Sequence, residues 1–268
     1  MSKALFIIDP QKDFIDDPAF PGSLAVTGAY EDMKRLAQYI EVETPEAIVV
    51  TMDTHNRMHI ANPMWWVDEN GENPGIFTLI SVADVESGKW KASVPEKQEH
   101  SLNYVKELAA AGKYVLCIWP YHCIDGTEGH KVTEVIKESL TAWESKTGNK
   151  VEYVFKGKNP NTEMYSGLKA EVVMSEDPET EINESLIEKL KSFDEVEVAG
   201  EAKSHCVAST VGDLIGGFGK EATKITILEN CMSSVTGFEA NGDNFITIAK
   251  EAGCTIKNVA VIAKKLKM

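Results

Sequence analysis

The sequence has no apolar run near the roughly 18 residues that a membrane-crossing helix requires. Its first apolar stretch, residues 4–8, is too short for an export leader and ends at Asp9. It has no excess of positive charge: 27 Lys+Arg stand against 42 Asp+Glu, a net charge of −15. That balance speaks against partners with a phosphate backbone and against anionic membrane surfaces. It has no C-x-x-C pair. The five cysteines, Cys117, Cys123, Cys206, Cys231 and Cys254, are odd in number and scattered, which points to free thiols in a reducing cytoplasm. The glycine-rich stretch at residues 212–219 follows a helical pattern rather than a strand, so it lacks the setting of a dinucleotide-binding fingerprint. There is no internal repeat and no low-complexity tract.

What remains is an alternation. Short apolar runs at residues 4–8, 47–52, 114–118, 151–155, 195–199, 224–228 and 255–261 are nearly continuous in hydrophobicity, as in strands buried on both faces of a parallel sheet. Helical patterns lie between them, at about residues 30–40, 101–111, 130–145, 184–192, 205–216 and 239–251. This predicts one α/β domain over residues 1–268, doubly wound, with a mostly parallel sheet and helices on both faces. An excursion inserted after the second strand, about residues 56–95, carries Trp65, Trp66 and Trp90. It exceeds what one crossover needs and is expected to overhang a site.

Ligands of open parallel sheets bind beyond the carboxyl ends of the strands. Five successive strand ends are followed there by Asp9, by Asp53 with His55 and His59, by Trp119 with His122, by Lys156, and by Cys206. Cys206 opens a helix, a position that favours a thiolate. Asp9 offers a base for its proton and Lys156 a charge to hold both. Asp53 and His55, two residues apart, present one oxygen and one nitrogen to a divalent metal, and His122 can complete the set. A rival set of His122, Cys123 and His130 would make a structural zinc site.

The pieces resemble those of the isochorismatase-like cysteine hydrolases, nicotinamidase branch. They are I-I-D-P-Q-x-D-F at residues 7–14, G-S-L-A-V at 22–26, D-T-H at 53–55, W-P-Y-H-C-I-x-G-T at 119–127, F-K-G at 155–157, Y-S-G at 165–167 and G-E-A-K-S-H-C-V at 200–207. The resemblance implies a Cys206 nucleophile, an Asp9 general base and Lys156 as third member of a triad. It implies one divalent ion, zinc-like, on Asp53, His55 and His122, with His59 as an optional fourth ligand. Phe14, Trp119 and Tyr165 would wall the substrate. A cis peptide is expected at Glu201–Ala202, and the amides of Ala202 and Cys206 would form an oxyanion hole. The implied activity is hydrolysis of nicotinamide to nicotinate and ammonia through a thioester, within NAD metabolism. Hydrolysis of another small amide or ureide is the alternative, and a non-hydrolytic metal-binding protein on the same fold is a further one. The partner is then a small-molecule amide, with neither nucleic acid nor membrane, and assembly as a homo-oligomer is compatible with the sequence.

Overall fold

A computed structural model describes residues 2–260. Six parallel strands form the central sheet: β1 (Lys3–Ile8), β2 (Ala47–Asp53), β3 (Glu152–Lys156), β4 (Glu195–Gly200), β5 (Ile225–Leu228) and β6 (Thr255–Lys257), in the order β6-β5-β4-β1-β2-β3. The β1, β2, β4 and β5 cores are buried almost without interruption, because apolar runs of this kind lose area to water on both faces. The expected strand 255–261 is met by β6, and its last residue lies outside the described residues.

The described residues form six helices of eight residues or more: α1 (Ala29–Glu43), α2 (Gln98–Ala110), α3 (Glu134–Thr147), α4 (Glu184–Lys191), α5 (Ala208–Phe218) and α6 (Glu239–Glu251); a shorter one, Val82–Glu86, lies in the excursion. α1 packs on α3, while α4, α5 and α6 pack in series. The chain moves outward from β1 to β2 and β3, then returns past β1 to β4, β5 and β6. Right-handed crossovers in opposite directions place these two helix groups on opposite faces of the sheet. The order reverses at β1, which makes its carboxyl end the switch point where a crevice opens. The architecture is the doubly wound α/β fold read from the sequence.

One strand assignment is corrected. Residues 114–118 do not join the central sheet. Leu116–Cys117 instead pairs antiparallel with Leu79–Ile80 in a two-stranded ribbon. Leu116, Cys117 and Ile118 are buried but Val115 is 46% exposed, and a short apolar run reads the same in either setting. Buried side chains of the excursion, Trp65, Trp66 and Ile80 among them, join the hydrophobic core of the molecule. In it Trp65 donates to Ser101 Oγ on α2 at 2.9 Å and Trp66 donates to the Ile60 carbonyl at 2.7 Å.

Candidate active site

Asp9, Asp53, Lys156 and Cys206 meet at the switch point. Asp9 follows β1 in a left-handed conformation, φ 44°. Thr51, a polar residue inside the apolar β2, receives the Asp9 N–H at 2.9 Å and donates its hydroxyl to Asp9 Oδ1 at 2.6 Å. Asp53 ends β2, where Gln11 binds its backbone twice, at 2.6 and 2.7 Å. Lys156 ends β3 and is 2% exposed. Its ammonium lies 3.0 Å from Asp9 Oδ2, 2.9 Å from Asp53 Oδ1, 2.8 Å from the Met164 carbonyl and 3.7 Å from Cys206 Sγ. Two glycines make this approach feasible. A Cβ on Gly200 would stand 2.1 Å from the Ile8 carbonyl oxygen, and one on Gly157 would stand 2.9 Å from the His55 ring.

The charges respond to burial and to one another. Burial would pull Lys156 down, yet Asp53 and Asp9 hold it well above the ordinary lysine value. Burial raises Asp9 against the pull of Lys156. Burial would also raise Asp53, but His55, Lys156 and His122 hold it well below the usual carboxylate range. The Cys206 thiol is pushed well up, first by burial; Lys156 opposes this, and Asp9 and Asp53 add to it. Lys156 thus pulls the thiol down as expected, but burial and the two carboxylates outweigh it. Cys206 sits in a π-helical turn, Lys203–Val207, ahead of α5 rather than in the first turn of a regular helix, and its carboxylate neighbours favour the protonated form.

A second group forms beside the first. Asp53 Oδ2 lies 2.9 Å from His55 Nε2 and 3.4 Å from His122 Nε2. The three side chains, all buried, form a set whose ligand atoms lie within 4.8 Å of one another. His122 Nδ1 bonds the Pro120 carbonyl at 2.8 Å, which turns Nε2 toward Asp53 and leaves its lone pair there. One carboxylate oxygen and two imidazole nitrogens converging from buried side chains fit a divalent metal of the zinc type. His122 does not arrive on a strand of the central sheet. Its loop is held by the His55 N–H to Cys123 carbonyl bond, 3.0 Å, and by Asp13 Oδ2, which accepts the Cys123 N–H at 2.7 Å.

His59 lies tilted against His55, ring centroids 4.4 Å apart, but its nitrogens are engaged. Nδ1 accepts the Ala61 N–H at 3.2 Å and Nε2–H donates to the Thr162 carbonyl at 3.1 Å. It groups with His55 and Glu163, not with Asp53 and His122. The rival set of His122, Cys123 and His130 is not brought together among the described residues; His130 Nε2 bonds Thr54 Oγ1 at 2.9 Å.

Phe14, Trp119, Tyr165, His205 and Cys206 line one pocket, with Asp53 and His122 in its wall. Trp119 Nε1–H donates to Tyr165 Oη at 2.9 Å. From the excursion, Phe77 meets Trp119 edge to face, centroids 5.9 Å apart, while Trp65 and Trp66 are buried in the hydrophobic core and do not line the pocket. The peptide Glu201–Ala202 is cis, and the Ala202 N–H has no acceptor among the described residues. Three residues of the site, His205 and Glu163 in the pocket and Thr51 behind Asp9, escaped the sequence reading. His205 had no signal beyond its place beside Cys206. Glu163 had none, standing in a long irregular stretch. Thr51 had one: it is the polar residue that interrupts an otherwise apolar strand.

No protein-family model matches the sequence, and no curated protein matches it. Solved structures do. A nicotinamidase/pyrazinamidase of Acinetobacter baumanii superposes with a TM-score of 0.65 at 20% identity, over 96% of each chain. The yeast nicotinamidase Pnc1p, bound to the inhibitor nicotinaldehyde, gives a TM-score of 0.65 at 18% identity, over 96% of this chain and 99% of that one. The pyrazinamidase of Pyrococcus horikoshii in complex with zinc gives 0.55 at 17%, over 96% and 99%. At such identities the likeness is one of fold alone: the chain shares the α/β fold of these nicotinamidase and pyrazinamidase structures.

Proposed function

From a fold shared with nicotinamidases, we propose that this chain is a cysteine amidohydrolase that converts nicotinamide to nicotinate and ammonia. One observation carries the reading: a single buried ammonium, Lys156, touches Asp9, Asp53 and the Cys206 sulfur at 3.0, 2.9 and 3.7 Å. A thiol, a carboxylate raised by burial and a fixed cation are the parts of an acid-base-assisted thiol nucleophile.

In the resting site the thiol holds its proton. Cys206 passes it to Asp9 as the sulfur attacks the amide carbon. The Ala202 and Cys206 N–H groups receive the developing oxyanion, and such a donor is typically worth about 3–4 kcal/mol. Asp9 then protonates the departing ammonia as the carbon–nitrogen bond breaks. A water deprotonated by Asp9 cleaves the thioester, returning the thiol and releasing the acid. Lys156 keeps Asp9 and Cys206 in register throughout. Asp53, His55 and His122 would hold a divalent metal, and such an ion supplies an anchoring point for a ring nitrogen and orients the substrate. Phe14, Trp119 and Tyr165 would sandwich the ring.

A second reading keeps the chemistry and changes the substrate. Glu163, 2% exposed in the pocket wall, offers an acceptor to an amide or ureide that carries an extra N–H. Ammonia release from a panel of such compounds, with and without chelator, separates the two. Nicotinamide turnover that the chelator lowers supports the first reading. Release from ureides alone supports the second, and release from none of them sinks both.

A further inference from the structure

Behind the turn that carries Ala202 lies an acidic cluster that the reaction above does not use. Glu201 is 0% exposed and Asp32, on α1, is 2% exposed. Ser233, just after β5, touches both. Its N–H donates to Glu201 Oε2 at 3.1 Å and its hydroxyl donates to Asp32 Oδ2 at 2.5 Å. The Ser233 carbonyl in turn accepts the Lys203 N–H at 2.8 Å. One serine thus grips the chain on both sides of Ala202, while the Glu201 N–H is fixed to the Ile8 carbonyl at 2.8 Å.

The two carboxyl groups are not equivalent. Asp32 Oδ1 pairs with Arg35, whose Nε–H also binds the Asn230 carbonyl at 2.6 Å. Glu201 has no cation within ion-pair distance among the described residues, and its Oε1 is buried with no partner. The other titratable groups facing it are Asp16, from the loop after β1, and Cys231, from the turn after β5; neither brings positive charge. Two buried carboxyls sharing one serine and one arginine cannot both ionise at low cost. The member with the arginine keeps the charge, and the other keeps a proton. The two carboxyl side chains lie within hydrogen-bond reach of one another, and a proton on Glu201 would make its unpartnered carboxyl a donor. Burial first, then the charge of Asp32, drives the Glu201 carboxyl well above the ordinary glutamate range.

We propose that Glu201 is held as a neutral carboxylic acid that donates its proton to Asp32, and that this acid pair, bridged by Ser233, positions the Ala202 N–H toward the reacting carbonyl. Glu201 is a positioning residue, and the inference rests on the hydrolytic reading of the pocket.

The test compares wild type, Glu201→Gln and Glu201→Leu. Infrared difference spectra at neutral pH are expected to show a protonated-carboxyl band in wild type that Glu201→Gln removes. Glutamine keeps a donor toward Asp32, so Glu201→Gln retains kcat within about threefold and leaves the Ala202 amide resonance in place. Glu201→Leu loses kcat by about a hundredfold, the scale of one oxyanion donor, with KM little changed, Cys206 alkylation by iodoacetamide unchanged and the Ala202 resonance displaced. Absence of the protonated-carboxyl band overturns the proton assignment, and so does a glutamine variant as poor as leucine. Wild-type kcat with an unmoved Ala202 resonance in Glu201→Leu overturns the positioning. If wild type releases no ammonia from nicotinamide, the hydrolytic reading falls instead, while the band and the amide resonance still decide this one.

Discussion

The pocket has two halves built by different means. The nucleophile half, Asp9, Lys156 and Cys206, stands at or just beyond the ends of β1, β3 and β4, three elements of one rigid sheet. The metal-type half takes Asp53 and His55 from the end of β2 but borrows His122 from a loop that leaves the small ribbon. Strand ends are fixed by the sheet ladder. A loop has to be tied down, here by Asp13 and by backbone bonds from His55. The halves meet in a single carboxylate: Asp53 turns Oδ1 to Lys156 and Oδ2 to the two histidines. On the proposed reading, chemistry and substrate orientation are therefore separable by mutation everywhere except at Asp53.

The largest expected effect lies wholly in the nucleophile half. Cys206→Ala should lower turnover by about 10⁴-fold or more while metal content stays at about one ion per chain. Asp9→Asn should be nearly as damaging, and the double variant little worse than either, because residues that act as a unit do not add. Ammonia release alongside metal analysis checks this; substantial activity in Cys206→Ala would place the nucleophile elsewhere.

Next comes the join. His122→Ala should weaken metal binding by about 10²-fold and leave the alkylation rate of Cys206 unchanged. Asp53→Ala should weaken metal binding as much and also change that rate, since Lys156 loses one of its two carboxylates. Chelator competition and iodoacetamide kinetics on both variants test it. Equal alkylation rates would mean that the halves do not communicate through Asp53.

Lys156→Met probes stability rather than turnover. It leaves Asp9 and Asp53 buried without their cation, and breaking a buried pair of this kind typically costs about 3–5 kcal/mol. Denaturant unfolding reads it directly, and a loss under about 1 kcal/mol would show that the cluster does not depend on that charge.

The smallest effect is the pH dependence of the aromatic wall. Burial pushes His205 down to about 4. The folded state therefore resists a proton that the unfolded chain accepts near its ordinary value of about 6.5. Stability should fall as pH drops from about 6.5 toward about 4, by about 2–3 kcal/mol for this group. His205→Phe should flatten that part of the curve. Identical slopes for wild type and variant between these pH values would mean that His205 is solvated in the native state.

The site was legible from the sequence in uneven measure. Asp9, Asp53 and Lys156 stand out because each polar residue closes or follows an apolar strand, and sheet physics sends such residues to one edge. Cys206 stands out through the strand and turn before it. Residues 114–118 misled for the same reason: their apolar run carries no mark of which sheet will take it. The motifs pointed to the peptide at Glu201–Ala202 but not to the acid behind it.

What the sequence determined by itself is the alternation of strand and helix, and hence the sheet, its switch point and the polar residues delivered there. These follow from local hydrophobic periodicity and chain direction. Only the tertiary structure decided that His122 arrives on a loop and that the nitrogens of His59 are spent on Ala61 and Thr162. It alone set Glu163 in the pocket wall, and it alone decided that burial outweighs Lys156 at the Cys206 thiol. Each of these depends on which groups from distant parts of the chain share a buried space, and charge and hydrogen bonding are settled there by neighbours, not by spacing.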